Sequence, residues 1–94
     1  MISQIASALE GAGIPCQVEN TGGHCDAIVV RGTGPGVIYL TDQEAEFVVR
    51  DDQGYIQTLV TLTDPAFMAE KFTLESIPRV VGLIRDNLWR VVVG

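Results

Sequence analysis

Residues 26–62 have the sequence DAIVVRGTGPGVIYLTDQEAEFVVRDDQGYIQTLVTL, and this stretch decides the fold. It contains apolar runs rich in β-branched and aromatic residues, and each gap between runs carries glycine, proline, aspartate or glutamine. Runs of this composition are typical of β-strands joined by tight connections. We therefore predict strands over 26–31, 37–41, 45–50 and 55–63.

Two segments outside this stretch have the apolar spacing of helices. A helix over 3–11 and a second over 77–88, or as far as 90, would each present one apolar stripe. The segment 65–72 is either a short helix, for which Asp64-Pro65 is a typical start, or an irregular excursion. The stripes consist of Ile2, Ile5, Ala6 and Leu9 in the first helix and of Ile77, Val80, Val81, Ile84 and Leu88 in the second.

A further strand is predicted over 14–19, because apolar and polar residues alternate there with a period of two. Pro15 lacks an N–H group and favours an edge position for this strand. The segment 20–23 is a strong turn signal. Short connections between successive strands favour an antiparallel meander. The expected fold is a single α+β domain, a two-layer sandwich in which N-terminal and C-terminal helices cover one face of a mainly antiparallel, five-stranded sheet.

Charge and hydropathy restrict the classes of partner. The chain has 94 residues and a formal charge of −6, which disfavours direct binding to nucleic acid. No apolar run approaches the ~20 residues of a membrane-spanning helix, and residues 1–11 do not resemble a signal peptide. We therefore expect a cytoplasmic protein without a membrane partner, in which Cys16 and Cys25 are reduced thiols.

His24 and Cys25, with Cys16 and Asp26 nearby, form the only cluster of chemically versatile residues. The spacing does not match a structural zinc site, which usually contains a close cysteine pair. As catalytic partners, His24 and Cys25 would point to opposite faces of a strand, and no third group orients them. We expect no metal, no cofactor and no catalytic residue. Whether Cys16 and Cys25 form a disulfide depends on where the hairpin is centred, and both alternatives remain open.

The glycine-rich segment 32–36 superficially resembles a phosphate-binding loop. Such a loop requires a following helix, whereas a strand follows here and Pro35 removes one donor. A hairpin connection is therefore the better interpretation. The acidic series Asp42, Glu44, Glu46, Asp51 and Asp52 fits a solvated rim, and along a hairpin end it would also fit a surface that imitates phosphates.

Trp89 and the valines that follow it are the best candidates for a contact surface, because tryptophan is enriched at interface hot spots. The alternative is that this segment docks onto the protein's own sheet. The segment 89–94 either finishes the second helix or leaves it as a short β segment, since consecutive valines disfavour helix. The candidate partner-binding residues are Trp89, Val91, Val93, Tyr55, Glu44, Glu46, Asp51 and Asp52.

Our first hypothesis for function is a non-enzymatic, protein-binding accessory module that associates with itself as a dimer or with another protein. It rests on the apolar surplus, the two-faced fifth strand and the C-terminal segment. The alternative is an acidic inhibitor of a nucleic-acid-processing enzyme, of the anti-defence type that phages and mobile elements encode, such as an anti-CRISPR. A small enzyme that uses His24 and Cys25 is a third alternative with little support.

Overall fold

The computed structural model describes residues 1–22, 25–63 and 72–92. The chain begins with a helix, continues through consecutive strands, and ends with a helix flanked by two short 3-10 turns. In chain order the elements are α1 (Ile2–Gly11), β1 (Gln17–Gly22), β2 (Cys25–Arg31), β3 (Gly36–Leu40), β4 (Ala45–Arg50), β5 (Ile56–Thr61), a 3-10 turn (Leu74–Ser76), α2 (Ile77–Asp86) and a second 3-10 turn (Leu88–Arg90).

The sheet is the predicted antiparallel meander, with strand order β1-β2-β3-β4-β5. Consecutive strands are neighbours because every connection between them is short. Within the described residues, β1 and β5 are therefore the two edges of the sheet. The strand predicted over 45–50 is observed as β4 at the predicted bounds.

Helix α1 ends where the sequence changes from its apolar stripe to glycine. Gly13 adopts a positive φ of 82°, and the N–H of Ile14 donates to the carbonyl of Leu9 at 2.9 Å. A left-handed glycine followed by such a bond satisfies carbonyls that the last helical turn leaves open. Ile5 and Leu9 are fully buried, as the stripe predicts.

Helix α2 begins with Pro78 in its first turn, where a missing N–H costs nothing. Just before it, the Ser76 hydroxyl accepts a hydrogen bond from the Thr73 N–H and donates one to the Thr73 carbonyl, each at 2.7 Å. Val80 and Ile84 on the predicted stripe are fully buried.

Both helices bury their apolar stripes against the same sheet face, so the α+β sandwich is confirmed. We call this face the helix face and the opposite one the outer face. The core on the helix face joins residues from both helices and from β2, β3 and β4. Its members are Ile5, Ala6, Leu9, Ile14, Ile28, Val30, Ile38, Leu40, Ala45, Phe72, Val80, Ile84 and Val91.

The bounds of several predicted strands require correction. The strand predicted over 14–19 lies at Gln17–Gly22, because Ile14 turns into the core directly after α1 and because the residues expected to form a turn continue the ladder. The strands expected over 37–41 and 55–63 are Gly36–Leu40 and Ile56–Thr61. The short helix that was one alternative over 65–72 lies, except for Phe72, outside the described residues.

The C-terminal segment ends the helical region without forming a strand as far as it is described. Residues 88–90 form a 3-10 turn, followed by a turn at Val91. Residues 93 and 94 lie outside the described ranges. Neither described helix has the length and apolarity that a membrane crossing requires.

Candidate interaction surface

Strand β5 forms an edge of the sheet that is open to solvent. Among the described residues β4 is its only partner strand, and every β5 residue except Val60 is exposed. Ile56 and Leu59 expose 51% and 53% of their surface. No charged residue occurs from Tyr55 to Thr63. The strand therefore combines an open edge, apolar side chains and an absence of charge, which are the features that promote pairing with another strand.

The hydrogen bonds to β4 determine which backbone groups of β5 point outward. The N–H of Leu62 donates to the carbonyl of Ala45 at 2.9 Å. In an antiparallel ladder, successive residues direct their N–H and C=O groups alternately toward the partner strand and away from it. The backbone groups of Leu59 and Thr61 therefore point away from β4. No strand in the described part of the chain pairs with them.

A bulge near the start of β5 changes the face on which Ile56 lies. Thr58 pairs with Val49, whereas Ile56 pairs with Arg50. Between these two pairs the chain therefore advances by two residues on β5 but by only one on β4. Strict alternation along the strand would place Ile56 on the helix face with Val60 and Leu62. The register instead places Ile56 on the outer face with Leu59, so the two exposed apolar side chains share a face.

The outer face is apolar in its interior as well as at this margin. Ala27, Val29 and Val48 lie on it by register and are buried. Leu59 is paired with Val48 and lies at the margin, where half of its surface is accessible. The exposed leucine therefore continues an apolar face up to the edge of the sheet.

The hairpin before β5 is held by the Asp51 side chain. Its Oδ1 accepts hydrogen bonds from the N–H groups of Gln53 and Tyr55, both at 2.9 Å, and its Oδ2 accepts one from the Gln57 amide at 3.1 Å. Gly54 supports the turn with a φ of 87°. Asp51, a candidate partner-binding residue, thus has a role within its own hairpin, whereas Tyr55 is 69% exposed beside it.

Trp89 lies on the surface in contact with a cation. The Arg90 guanidinium is 4.4 Å from the centroid of the Trp89 ring and 5.9 Å from that of Phe47. The Arg90 Nε donates to the Asn87 Oδ1 at 2.9 Å, which orients the guanidinium. Phe47 in turn pairs with Val60. The Trp89–Arg90 pair is therefore linked to β5 through Phe47 of the neighbouring strand β4.

Gly36 allows the Phe47 ring to lie flat on β3. A Cβ at position 36 would lie 2.5 Å from two atoms of that ring, closer than side chains approach one another. Phe47 can occupy this position, and can support Arg90 and Val60 from it, because residue 36 has no side chain.

The opposite edge, β1, contains charge and irregularity. The Glu19 carboxylate lies 3.5 Å from the Arg31 guanidinium, and the Asn20 amide donates to the Asp26 carboxylate at 3.3 Å. A bulge interrupts the register between Asn20 and Gly22. Val18 is nevertheless 49% exposed, nearly as much as Leu59. Val18 is therefore a matched control for Leu59.

The acidic series is divided between the two ends of β4. Asp42 and Glu44 lie in the turn before this strand, and Asp51 and Asp52 lie in the turn after it. A strand of this length separates the two turns by about 20 Å. The series expected along one hairpin end therefore does not form, and an inhibitor that imitates phosphates would have to use two separate acidic clusters.

Glu46 is held in an unfavourable environment for a carboxylate. Burial is the largest of the causes that raise the pKa of the Glu46 carboxyl. The neighbouring Glu44 carboxyl raises it further through its charge and a side-chain hydrogen bond. Glu46 pairs with Thr61 of β5, so this group borders the open edge on the outer face.

One of the predicted contact residues, Val91, is not available as expected. Val91 is buried in the core, and its carbonyl accepts a hydrogen bond from the Gly34 N–H at 2.8 Å. The glycine-rich segment 32–36 thus connects two strands and binds the C-terminal segment. Val93 lies outside the described residues. In this region the structure therefore exposes Trp89 and buries Val91 in the protein's own core.

The cysteine and histidine cluster is only partly described. Cys16 is a free thiol, and its Sγ lies 3.8 Å from the Ala6 carbonyl, so it forms no disulfide. Burial and the Glu10 charge raise the pKa of this thiol. His24 and the Cys25 side chain lie outside what the structure describes. Among the described residues, no group of three or more histidine, cysteine or acidic side chains is arranged to hold a metal ion.

Comparison with protein-family models, with curated proteins and with solved structures gave no match. Function is therefore argued from the surface itself. Sequence reasoning named Tyr55 as a contact residue and based the protein-binding hypothesis partly on the two-faced fifth strand, but it did not name Ile56, Leu59 or Val60 as contact residues. The signal that identifies them is the uncharged segment from Tyr55 to Thr63, combined with an edge position that only the strand order reveals.

Proposed function

We propose that the protein is a non-enzymatic protein-binding module and that it binds through the β5 edge. A single observation carries the proposal: β5 presents the outward backbone groups of Leu59 and Thr61 beside exposed apolar side chains, with no charge along the strand. Addition of a strand to such an edge is a common mode of peptide and protein recognition.

The arrangement supplies both affinity and selectivity. Main-chain hydrogen bonds to an added strand are independent of its sequence, whereas side chains that alternate between the two faces select among partners. On the outer face, Leu59 and Ile56 offer apolar contact, and the exposed Tyr55 extends it at the hairpin. Aromatic residues contribute disproportionately to binding free energy, which also favours Trp89 as a contact near this edge.

A photo-reactive cross-linker placed at each edge tests this proposal. A benzophenone side chain substituted at Leu59 should form covalent products with protein when cells that contain the variant are irradiated. The same substitution at Val18 is the matched control, because Val18 is similarly exposed on the other edge strand. The products are identified by mass spectrometry.

The proposal predicts products at position 59 and few or none at position 18. An absence of protein products at position 59, in a variant whose circular dichroism spectrum matches the wild type, would contradict it. Equal yields at both positions would contradict it as well, because binding would then not be specific to β5.

A further inference from the structure

We infer that the partner strand at β5 is β5 of a second copy, joined across a two-fold axis that passes beside Val60. This inference rests on the proposed function and specifies its partner. The two copies would form one continuous antiparallel sheet, with the helices of both on the same side. Such an interface is isologous, since each copy contributes the same strand.

Symmetry restricts the registers that are available. In an antiparallel pair, hydrogen-bonded and non-hydrogen-bonded residue pairs alternate along the strands. A two-fold axis between two adjacent residues would require both neighbouring pairs to be of the same kind, which this alternation forbids. The axis must therefore pass beside one residue that pairs with its own copy.

The outward backbone groups select Val60 as that residue. With the axis at Val60, Leu59 of one copy pairs with Thr61 of the other, and these are the residues whose N–H and C=O groups point away from β4. Both symmetry-related pairs would then exchange two N–H···O=C bonds. An axis at Leu59 would instead require Gln57 as a partner for Thr61, and Gln57 lies at the bulge.

Side chains on both faces agree with this register. On the helix face, Phe47 and Val60 of one copy would continue into Val60 and Phe47 of the other, forming an apolar row. On the outer face, the two Leu59 side chains would be diagonal neighbours, which are still within reach of long side chains. The apolar surface of Leu59 and Val60 would thereby become buried without requiring a different protein.

The charge distribution permits an identical partner in this orientation. Two copies that each have a net charge of −6 repel one another, so they can approach only where the contact strip is uncharged, as β5 is. The antiparallel arrangement places the two acidic turns, with Asp51 and Asp52, at opposite ends of the joint, roughly 35 Å apart. A parallel arrangement would place these turns side by side. Along the joint, each Glu46 is separated from the other copy by Thr61.

Sedimentation equilibrium and disulfide trapping test this inference together. The wild-type protein should sediment as a dimer. In a Cys16→Ala/Cys25→Ala background, Val60→Cys should form an intermolecular disulfide under mild oxidation, because directly opposite residues of a non-hydrogen-bonded pair lie within disulfide range. Leu59→Cys in the same background should react at least about tenfold more slowly, since its two copies are diagonal.

Thr61→Pro provides an independent test of the edge. The Thr61 N–H points away from β4, so proline there removes an outward donor without removing a bond of the β4–β5 ladder. This variant should sediment as a monomer. If it does not fold, judged by circular dichroism, the cysteine variants still decide the register.

The results separate this inference from the proposed function. A monomeric wild type that nevertheless yields cross-links at position 59 to a different protein would overturn the inference while leaving the proposed function in place. Faster trapping at Leu59→Cys than at Val60→Cys would overturn the Val60 register. A dimer whose association is unchanged by Thr61→Pro, with no trapping at Val60→Cys, would overturn pairing through β5 altogether.

Discussion

The two edge strands of the sheet differ in how they meet solvent. On β1, Glu19 forms an ion pair with Arg31, a bulge breaks the register near the hairpin, and α1 packs nearby. On β5, the bulge lies at the first residues, so that the segment from Thr58 onward keeps a regular ladder without charge. Charges and irregular backbone are the usual means by which edge strands avoid pairing with other chains. The protein has them at one edge and lacks the charges at the other.

This difference teaches that exposed apolar surface alone does not distinguish the edges, because Val18 and Leu59 are similarly exposed. What differs is the environment of the backbone. At β5 the outward N–H and C=O groups of Leu59 and Thr61 are accompanied by neutral side chains, whereas at β1 a carboxylate and a bulge interrupt the strand. The proposed binding therefore depends on the whole β5 edge, backbone included, and not on one exposed apolar side chain.

The largest expected effect comes from placing a charge on each edge in turn. Leu59→Lys should weaken self-association by roughly 100-fold or more, because two ammonium groups would be brought together near the axis and an apolar contact would be lost. Val18→Lys should leave the dissociation constant within about threefold of the wild type. Sedimentation equilibrium measures both. Equal weakening by the two substitutions would show that association does not depend specifically on the β5 edge.

A second comparison replaces one glycine in the sheet, Gly36, and one in helix α2, Gly82. Gly36→Ala should destabilise the fold by about 1–3 kcal/mol, because the added methyl group displaces the Phe47 ring that supports Val60. In Gly82→Ala the Cβ meets no atom within 4 Å, and a helix-interior alanine should stabilise by about 0.5–1 kcal/mol. Urea unfolding measures both changes. A neutral Gly36→Ala would mean that the ring moves aside without loss, and Phe47 would then not support the β5 side.

The third prediction concerns the cation beside Trp89. Arg90→Ala should cost about 0.5–1 kcal/mol of stability and shift the emission of Trp89, the only tryptophan, because the stacked guanidinium is removed. Arg85→Ala removes the same charge from the end of α2 and should leave the emission unchanged. Identical spectra for the two variants would contradict the stacking.

Most of the fold follows from local pattern in the sequence. Ile5, Leu9, Val80 and Ile84 are buried where helical spacing placed them, because each stripe has a single apolar face to bury. The position of β1 was wrong, since the alternation that begins at Ile14 belongs partly to a chain segment that enters the core before the strand starts. The alternation of apolar and polar residues indicates which side chains become buried, but it does not indicate where the ladder of backbone hydrogen bonds begins.

The candidate surface was less accessible to sequence reasoning. Trp89 and Tyr55 are exposed as expected, but the face of Ile56 depends on a bulge, which strict periodicity cannot represent. Val91 was misplaced because a terminal valine that binds the segment 32–36 has the same sequence pattern as one that binds a partner. The edge status of β5 is a property of strand order, which arises from contacts distant along the chain.

The smallest expected effect comes from replacing one glutamate at each edge, Glu46 beside β5 and Glu19 on β1. The folded-state pKa of Glu46 is raised, so the folded protein holds this proton more tightly than the unfolded chain does, and stability decreases as the pH rises through the interval between the two pKa values. Glu46→Gln should therefore raise the unfolding midpoint at neutral pH, and this gain should disappear in acid, where Glu46 is protonated in both states.

Glu19→Gln should act with the opposite sign on the other edge. It removes the ion pair with Arg31, and because both side chains are exposed the loss at neutral pH should be at most about 1 kcal/mol and should shrink as salt is added. Thermal unfolding across pH and ionic strength measures both variants. If Glu46→Gln instead lowered stability at neutral pH, its carboxylate would be stabilised by the fold. The outer margin of β5 would then be more favourable to charge than the proposed pairing permits.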